Sequence, residues 1–172
     1  MPNTKSIGVA FSDPELVAGT TITGAVIDST SKIASNIASG FSEMQQGATI
    51  ATTGNSDVYI VADAAGVFTG ARFSGTDALA ASDTNYITFS ITNLGTNGSG
   101  STAMLAATDA NTTKTTGGIA LTANAARSLT LNGTATNLVV AAGDRLRVRA
   151  AATGTLANTV TFPVYNLVFS VA

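Results

Sequence analysis

The sequence predicts an all-β protein: an antiparallel β-sandwich, jelly-roll-like, preceded by an N-terminal arm. Apolar and polar residues alternate in several short stretches, most clearly where Ile87, Phe89 and Ile91 point to one side. Clusters of Gly, Asn, Ser and Thr separate these stretches, as in the loop that follows Asn93. No long helical pattern lies between any two stretches of the sandwich, which excludes parallel βαβ units and favours antiparallel pairing.

The composition suits strands and turns, and it excludes several kinds of function. The 172 residues are 45% hydrophobic but only 10% charged, with a net charge of −2, whereas ordinary domains carry about 25% charged residues. Eight basic residues spread along the chain give no electrostatic footprint for nucleic acid. The absence of cysteine and histidine excludes disulfides, thiolate metal sites and the commonest general base.

We divide the chain into an N-terminal arm, residues 1–50, and a β-sandwich domain, residues 51–172. Ile7, Val9 and Phe11 alternate with small or polar residues, so the arm is predicted to contain one short strand near its start. The apolar run around these residues is too short for the core of a signal peptide. We therefore expect synthesis in the cytoplasm without export, and no membrane insertion, since no stretch approaches about 20 apolar residues.

The rest of the arm allows two interpretations. Asp13-Pro14 interrupts the first strand because proline restricts the residue before it, and Thr20–Ile27 is a second candidate strand. Apolar residues then recur at intervals of four, four and three, which fits a short helix over residues 31–46, although Gly40 and several serines favour an extended arm instead. The residues that carry this helical spacing are Ile33, Ile37, Phe41 and Met44.

The sandwich domain is predicted to contain a series of short strands separated by turns. Leu79 lies in a polar connection and is predicted to close one end of the sandwich, and Asn132-Gly133 is predicted to join two short strands in a tight turn. In the second strand, Val67, Ala71 and Phe73 are expected to face inward. The predicted strands are Asp57–Ala62, Val67–Phe73, Tyr86–Thr92, Ala103–Ala107, Ser128–Leu131, Asn137–Val140, Arg145–Ala151 and a final segment, Thr159–Val171.

In the final segment, the residues that are expected to face inward change from even-numbered to odd-numbered positions. Even-numbered residues are apolar in its first half and odd-numbered ones in its second half, so a bulge or break is predicted near Tyr165-Asn166. Pro163 is expected at an edge or at that bulge, because it has no N–H for the ladder. The inward residues would be Val160, Phe162 and Val164, followed by Leu167, Phe169 and Val171.

The sequence contains no recognisable catalytic or cofactor-binding motif. Only Glu15 and Glu43 are glutamates, both in the N-terminal arm, while Asp77 and Asp83 lie in turns where aspartate commonly satisfies backbone groups. A glycosidase would need two carboxylates facing each other across a cleft. The serines have no histidine to activate them, so we predict a protein that is not an enzyme and uses no metal or cofactor.

The least usual local feature is a stripe of arginines on one predicted strand. Arg145, Arg147 and Arg149 point outward, while Leu146, Val148 and Ala150 point inward. One interpretation is a solvated strand face with threonine or aspartate partners on the neighbouring strands. The other is a protein interface, because the planar guanidinium group pairs well with carboxylates.

Three stretches, GVFTGARF, LAASDTNYITFSITNLGTNGSGST and AAGDRLRVRAAATGTLANTVTFPVYNLVFSV, resemble the β-sandwich proteins of tailed bacteriophages, especially capsid decoration or cement proteins. The resemblance covers about the last 110 residues. It implies a virion structural protein that binds the outside of the shell, often as a homotrimer, and stabilises neighbouring copies of the major capsid protein. The alternative is a head-fibre or tail-associated module that binds glycans of the host surface, although the chain has no tryptophan.

This resemblance supplies no functional residues to transfer, so the expected interface follows from the residues themselves. The apolar residues of the arm and the arginine stripe are the candidates for contact with the capsid or with other subunits. They are Ile7, Val9, Phe11, Leu16, Val17, Arg145, Arg147 and Arg149.

Overall fold

The computed structural model describes residues 40–171, and this part of the chain is all-β and antiparallel. It contains two short 3-10 helices, Asp109–Asn111 and Ala135–Leu138. Among the described residues, no helix is long and apolar enough to cross a membrane. The strands are β1 (Gly40–Gln46), β2 (Gly54–Val61), β3 (Gly66–Ser74), β4 (Tyr86–Asn93), β5 (Thr102–Ala103), β6 (Arg127–Leu129), β7 (Val139–Val140), β8 (Arg145–Thr153) and β9 (Val164–Val171).

The strands form two sheets, which confirms the predicted β-sandwich. The first sheet has the order β1-β9-β3-β6, with β7 also paired to β3, and the second has the order β2-β8-β4-β5. Every pairing between named strands is antiparallel. Residues 62–65 and 141–144 each carry the chain from one sheet to the other in a short connection. Strands β8 and β9 each lie between two strands that precede them in the sequence.

Side chains from both sheets share one hydrophobic core. Alternate residues of β4 and β8 are buried, as the sequence pattern predicts, and the opposite residues face outward. Leu79 is buried and forms an isolated antiparallel bridge with Leu121, so its predicted place inside the sandwich is confirmed. The largest buried side chains include Tyr165, Phe68, Phe73, Phe169, Ile50, Ile87, Ile91 and Leu146.

Strand β1 corrects the predicted helix over residues 31–46. Residues 40–46 pair with β9 along their whole length, from Gly40 opposite Ser170 to Gln46 opposite Val164. The ring of Phe41 stacks on that of Phe169, with centroids 4.7 Å apart. This non-local pairing outweighs a weak helical spacing, and β1 therefore belongs to the first sheet rather than to the arm. The other predicted elements of the arm lie outside the described residues.

The predicted hairpin at Asn132-Gly133 is wrong. Strand β6 pairs with one end of β3, at residues 71–73, and β7 pairs with the other end, at Gly66 and Val67. The two short strands therefore lie one after the other along β3, and they do not pair with each other. A stretch of two or three residues has too short a sequence pattern to show which strand it pairs with. Both short strands pair with the longer strand β3.

Two irregularities depart from the predicted strand patterns. A register shift lies between Phe68 and Gly70 in β3, so Phe68 is buried in place of Val67. The parity change of the final segment occurs at Phe162, which has φ of 46° and is 63% exposed, rather than near Tyr165-Asn166. Val160, which precedes this break, is buried and bridges Ile50, and β9 begins after Pro163.

Candidate functional site

The outer side of β2 and β8 forms a surface that is here called the arginine face. It consists of Arg145, Arg147 and Arg149 on β8 and of Asp57, Tyr59 and Val61, which lie directly opposite them on β2. The inward residues of β8 between the arginines are buried in the core, as predicted. Because β8 is paired on both sides, the backbone beneath the arginine face is held in place.

Arg149 is paired with the one carboxylate of the arginine face. Its Nε donates to Oδ1 of Asp57 at 2.6 Å, and one Nη donates to Oδ2 at 2.6 Å. This two-bond geometry is the strongest arrangement that arginine makes with a carboxylate. The hydrogen bonds from Arg149 hold the pKa of Asp57 below its ordinary value, and burial opposes this shift. The interpretation of a strand face with an aspartate partner is therefore correct for Arg149.

Arg145 makes a different contact at the other end of the stripe. Its guanidinium carbon lies 5.6 Å from the centroid of the Tyr59 ring, which is cation–π distance. A Cβ atom added at Gly98 would come within 2.8 Å of Nη1 of Arg145, so the guanidinium group also lies against the loop after β4. Arg145 has no carboxylate partner among the residues that the structure describes.

Arg147, between these two, is the least satisfied of the three. It lies opposite Tyr59 on β2 and Thr92 on β4. Its Nε is buried and has no hydrogen-bond partner within the described part of the chain. The arginine face therefore carries three positive charges and one carboxylate, which leaves a net charge of +2. The guanidinium groups of Arg145 and Arg147 can still donate hydrogen bonds to a carboxylate from outside this face.

Apolar side chains lie beside these charges. Tyr59 is 52% exposed and Val61 is 54% exposed, and they face outward on a strand that has β8 as its single partner strand in the described sheets. Aromatic and arginine side chains are enriched in protein interfaces. The combination of a free strand edge, an exposed tyrosine and unpaired arginines is typical of a surface that another polypeptide covers.

A groove runs along β4 of the same sheet, on the side that faces β5 rather than β8. Its cavity has a volume of about 350 Å³ and is lined by β4 and by the segment after β5. Lys114 donates to Oδ1 of Asp109 at 2.8 Å on its rim, and its Nζ lies 5.0 Å from the centre of the Tyr86 ring. The hydroxyl groups of Thr88 and Ser90 also line the groove.

No pattern in the sequence identified Arg127, which is buried without a carboxylate partner in the described residues. Its two terminal nitrogens donate to the carbonyl groups of Ala110, Thr112 and Ile119, at distances of 2.6 to 3.2 Å. The guanidinium carbon lies 5.2 Å from the Phe89 ring centroid. Burial lowers the pKa of Arg127. Arg127 thus stabilises the loop between β5 and β6 and takes no part in the arginine face.

The carboxylates that the sequence singled out as turn residues bind threonines of distant segments. Asp77 accepts from the backbone N–H and the hydroxyl of Thr161, and Asp83 accepts from the same two groups of Thr116. These hydrogen bonds hold the pKa of both aspartates below the ordinary value. In the described part of the chain, no three acidic side chains come together as a metal site would require.

Asp144 is also occupied by structural contacts. Its Oδ2 accepts from Nδ2 of Asn93 at 2.8 Å and from the backbone N–H of Ala141 at 2.9 Å. The aspartate therefore joins the turn before β8 to the end of β4. It also serves the backbone of its own turn, at Ala141.

Of the predicted interface residues, the structure brings together the three arginines. The five apolar residues of the arm, from Ile7 to Val17, lie outside the described residues. The sequence did not identify Tyr59 and Val61 as part of the same surface, although their alternation with Val58 and Ile60 was visible. No protein-family model, curated protein or solved structure matches this chain.

Proposed function

We propose that this chain is a non-enzymatic structural protein of a bacteriophage virion, which binds the outer surface of the capsid and stabilises it. In this role it self-associates, as a homotrimer, and contacts the major capsid protein. The resemblance of its last 110 residues to decoration proteins motivates the proposal. The arginine face carries it, because that surface has the features of a protein interface and lies on a sheet rather than in a cleft.

The hydrogen bonding of the acidic side chains supports a role in binding rather than in catalysis. Asp57, Asp77 and Asp83 hold their own partners by hydrogen bonds, so none of them is a free acid or base facing a substrate. The outer side of a sheet can bury area against another protein, whereas small-molecule sites are concave and mostly apolar. A stabilising protein gains affinity when several subunits bind the shell together.

The test is co-sedimentation of the full chain with empty shells built from the major capsid protein encoded alongside it. We expect the wild-type chain to pellet with shells and to raise their resistance to heat or chelator. The Arg145→Gln/Arg147→Gln variant should bind at least about tenfold more weakly, since two charge-assisted contacts of the arginine face with another polypeptide are lost. Arg72→Gln, an exposed arginine of the first sheet, is the matched control. A wild-type chain that stays in the supernatant would contradict the proposal.

Glycan binding is the second candidate, and one observation favours it. Phe162 presents its ring to solvent, 63% exposed, from a backbone conformation with φ of 46° that non-glycine residues rarely adopt. Sugars stack on exposed aromatic rings of this kind. Binding of the full chain to an array of host-surface glycans, lost in Phe162→Ala but kept in Arg145→Gln/Arg147→Gln, would support this candidate over the first.

A further inference from the structure

We propose that the arginine face binds the acidic segment Asp13-Pro14-Glu15 of a second copy of this chain. The inference rests on the proposed function in one respect, since it identifies the contact by which the subunits of the virion protein associate. The occupant of the arginine face is the N-terminal arm of a neighbouring subunit. The arm and the face match in the spacing of their charges, in the sign of those charges and in the apolar residues beside them.

The spacing of the arginines defines the shape of the partner. Side chains on one face of a strand recur every second residue, about 6.8 Å apart. The side chains of Arg145 and Arg147 therefore leave β8 at the interval at which an extended peptide presents residues i and i+2. A peptide with acidic residues at alternate positions fits both groups at once, whereas a helix, with neighbours three and four residues apart, does not.

The chain itself contains one such pair of acidic residues. Of its ten aspartates and glutamates, Asp13 and Glu15 are the two that stand two positions apart. Pro14, between them, restricts Asp13 to extended conformations and so favours an extended peptide. Their two negative charges balance the net charge of +2 on the arginine face.

The neighbouring residues match as well. Leu16 and Val17 directly follow Glu15, and Phe11 lies two positions before Asp13. On the arginine face, Tyr59 lies opposite Arg147 and Val61 lies opposite Arg145, and more than half of each is exposed. Burial of such apolar area stabilises a complex. The acidic pair provides the register, and the apolar residues add affinity.

The experiment measures self-association of the full chain by sedimentation velocity, in the absence of shells. We expect the wild-type chain to associate, and the association constant to fall as NaCl is raised from 0.05 to about 0.5 M, since salt screens exposed charges. Asp13→Asn/Glu15→Gln and Arg145→Gln/Arg147→Gln should each weaken association at least about tenfold. Asp28→Asn and Arg72→Gln are the matched controls and should associate like the wild type.

Mixing the two neutralised variants tests whether the contact is between copies. One variant keeps its arginine face and the other keeps its acidic pair, so an equimolar mixture should form a one-to-one complex that neither forms alone. A charge exchange, Asp13→Lys/Glu15→Lys combined with Arg145→Glu/Arg147→Glu, should restore self-association. Circular dichroism and the unfolding midpoint must show that each variant is folded.

Four outcomes would overturn the inference. They are a wild-type chain that remains monomeric at 100 times the concentration used for shell binding, a neutralised acidic pair with no effect, a mixture that forms no complex, and a charge exchange without rescue. Association that fails while shell binding persists would overturn this inference and leave the proposed function standing. Loss of shell binding in Arg145→Gln/Arg147→Gln with normal self-association would instead place an acidic segment of the shell on the arginine face.

Discussion

The guanidinium group of Arg127 lies 5.2 Å from the Phe89 ring and donates its hydrogen bonds to backbone carbonyl groups instead of a carboxylate. Arg127→Met keeps most of the volume but leaves the carbonyl groups of Ala110, Thr112 and Ile119 without this donor. We expect the free energy of unfolding in urea to fall by about 3 kcal/mol. Arg72→Met, at an exposed position on β3, should change it by about 0.5 kcal/mol or less. Equal losses in the two variants would contradict a special role for Arg127.

The Asp57–Arg149 pair predicts a dependence of stability on pH. The hydrogen bonds from Arg149 hold the pKa of Asp57 in the folded state below the value of about 3.9 expected in the unfolded state. The stabilisation is therefore complete above about pH 4 and is lost as the pH falls through the lowered pKa. Because the pair is partly exposed, we expect it to contribute about 1 kcal/mol.

The measurement compares urea unfolding of the wild type and Asp57→Asn between pH 7 and pH 2. The two should differ by about 1 kcal/mol at pH 7, and the difference should shrink as Asp57 is protonated in the wild type. Asp63→Asn, in the exposed turn after β2, is the control and should follow the wild type throughout. A difference that stays constant down to pH 2 would show that the charge of Asp57 is not the cause.

Two glycines provide a matched test of backbone geometry. Gly154 has φ of 67°, and a Cβ atom there would lie 2.6 Å from the carbonyl oxygen of Thr84. Gly154→Ala should therefore destabilise the fold by about 2 kcal/mol. Gly133 has open space around its Cα, with no atom within 4 Å of an added Cβ. Gly133→Ala should leave stability unchanged or raise it by about 0.5 kcal/mol, and thermal unfolding of both variants measures the contrast.

The hydroxyl group of Tyr165 is buried and has no hydrogen-bond partner among the described residues. Burial raises the pKa of Tyr165 well above its ordinary value, and the charge of Asp57 raises it further. Tyr165→Phe should keep or increase stability, by up to about 1 kcal/mol, because it removes an unpaired polar group. Tyr165→Ala removes the ring that packs 5.3 Å from Phe73 and should lose about 3 kcal/mol or more. A clear loss in Tyr165→Phe would reveal a partner for the hydroxyl.

Strands with regular alternation were predictable from the sequence. β4 and β8 occur where their pattern placed them, since a one-residue shift would expose every apolar side chain of a strand. The short strands β6 and β7 were located, but their partner was not, because pairing with β3 depends on residues about 55 to 75 positions away. Of the two interpretations of residues 31–46, the short helix is wrong at Gly40–Gln46 for the same reason, since its partner strand β9 lies about 120 positions further on.

The candidate site was predictable to a similar extent. The period of two in β8 was sufficient to place Arg145, Arg147 and Arg149 on one face. The neighbours that give this face its character, Asp57 and Tyr59, come from β2, and no local pattern states which strand lies beside which. Arg127 could not have been identified, because its partners are backbone carbonyl groups, which any sequence provides.

The position of β9 between β1 and β3 has a consequence for synthesis of the protein. Neither of those strands has its central neighbour until the chain has been translated almost to residue 171. Until then, the backbone groups of β1 and β3 lack their partners in β9, and the rings of Phe41 and Phe68 lack contact with Phe169. The first sheet therefore assembles only after β9 has been synthesised, and a high concentration of unfinished chains would promote aggregation.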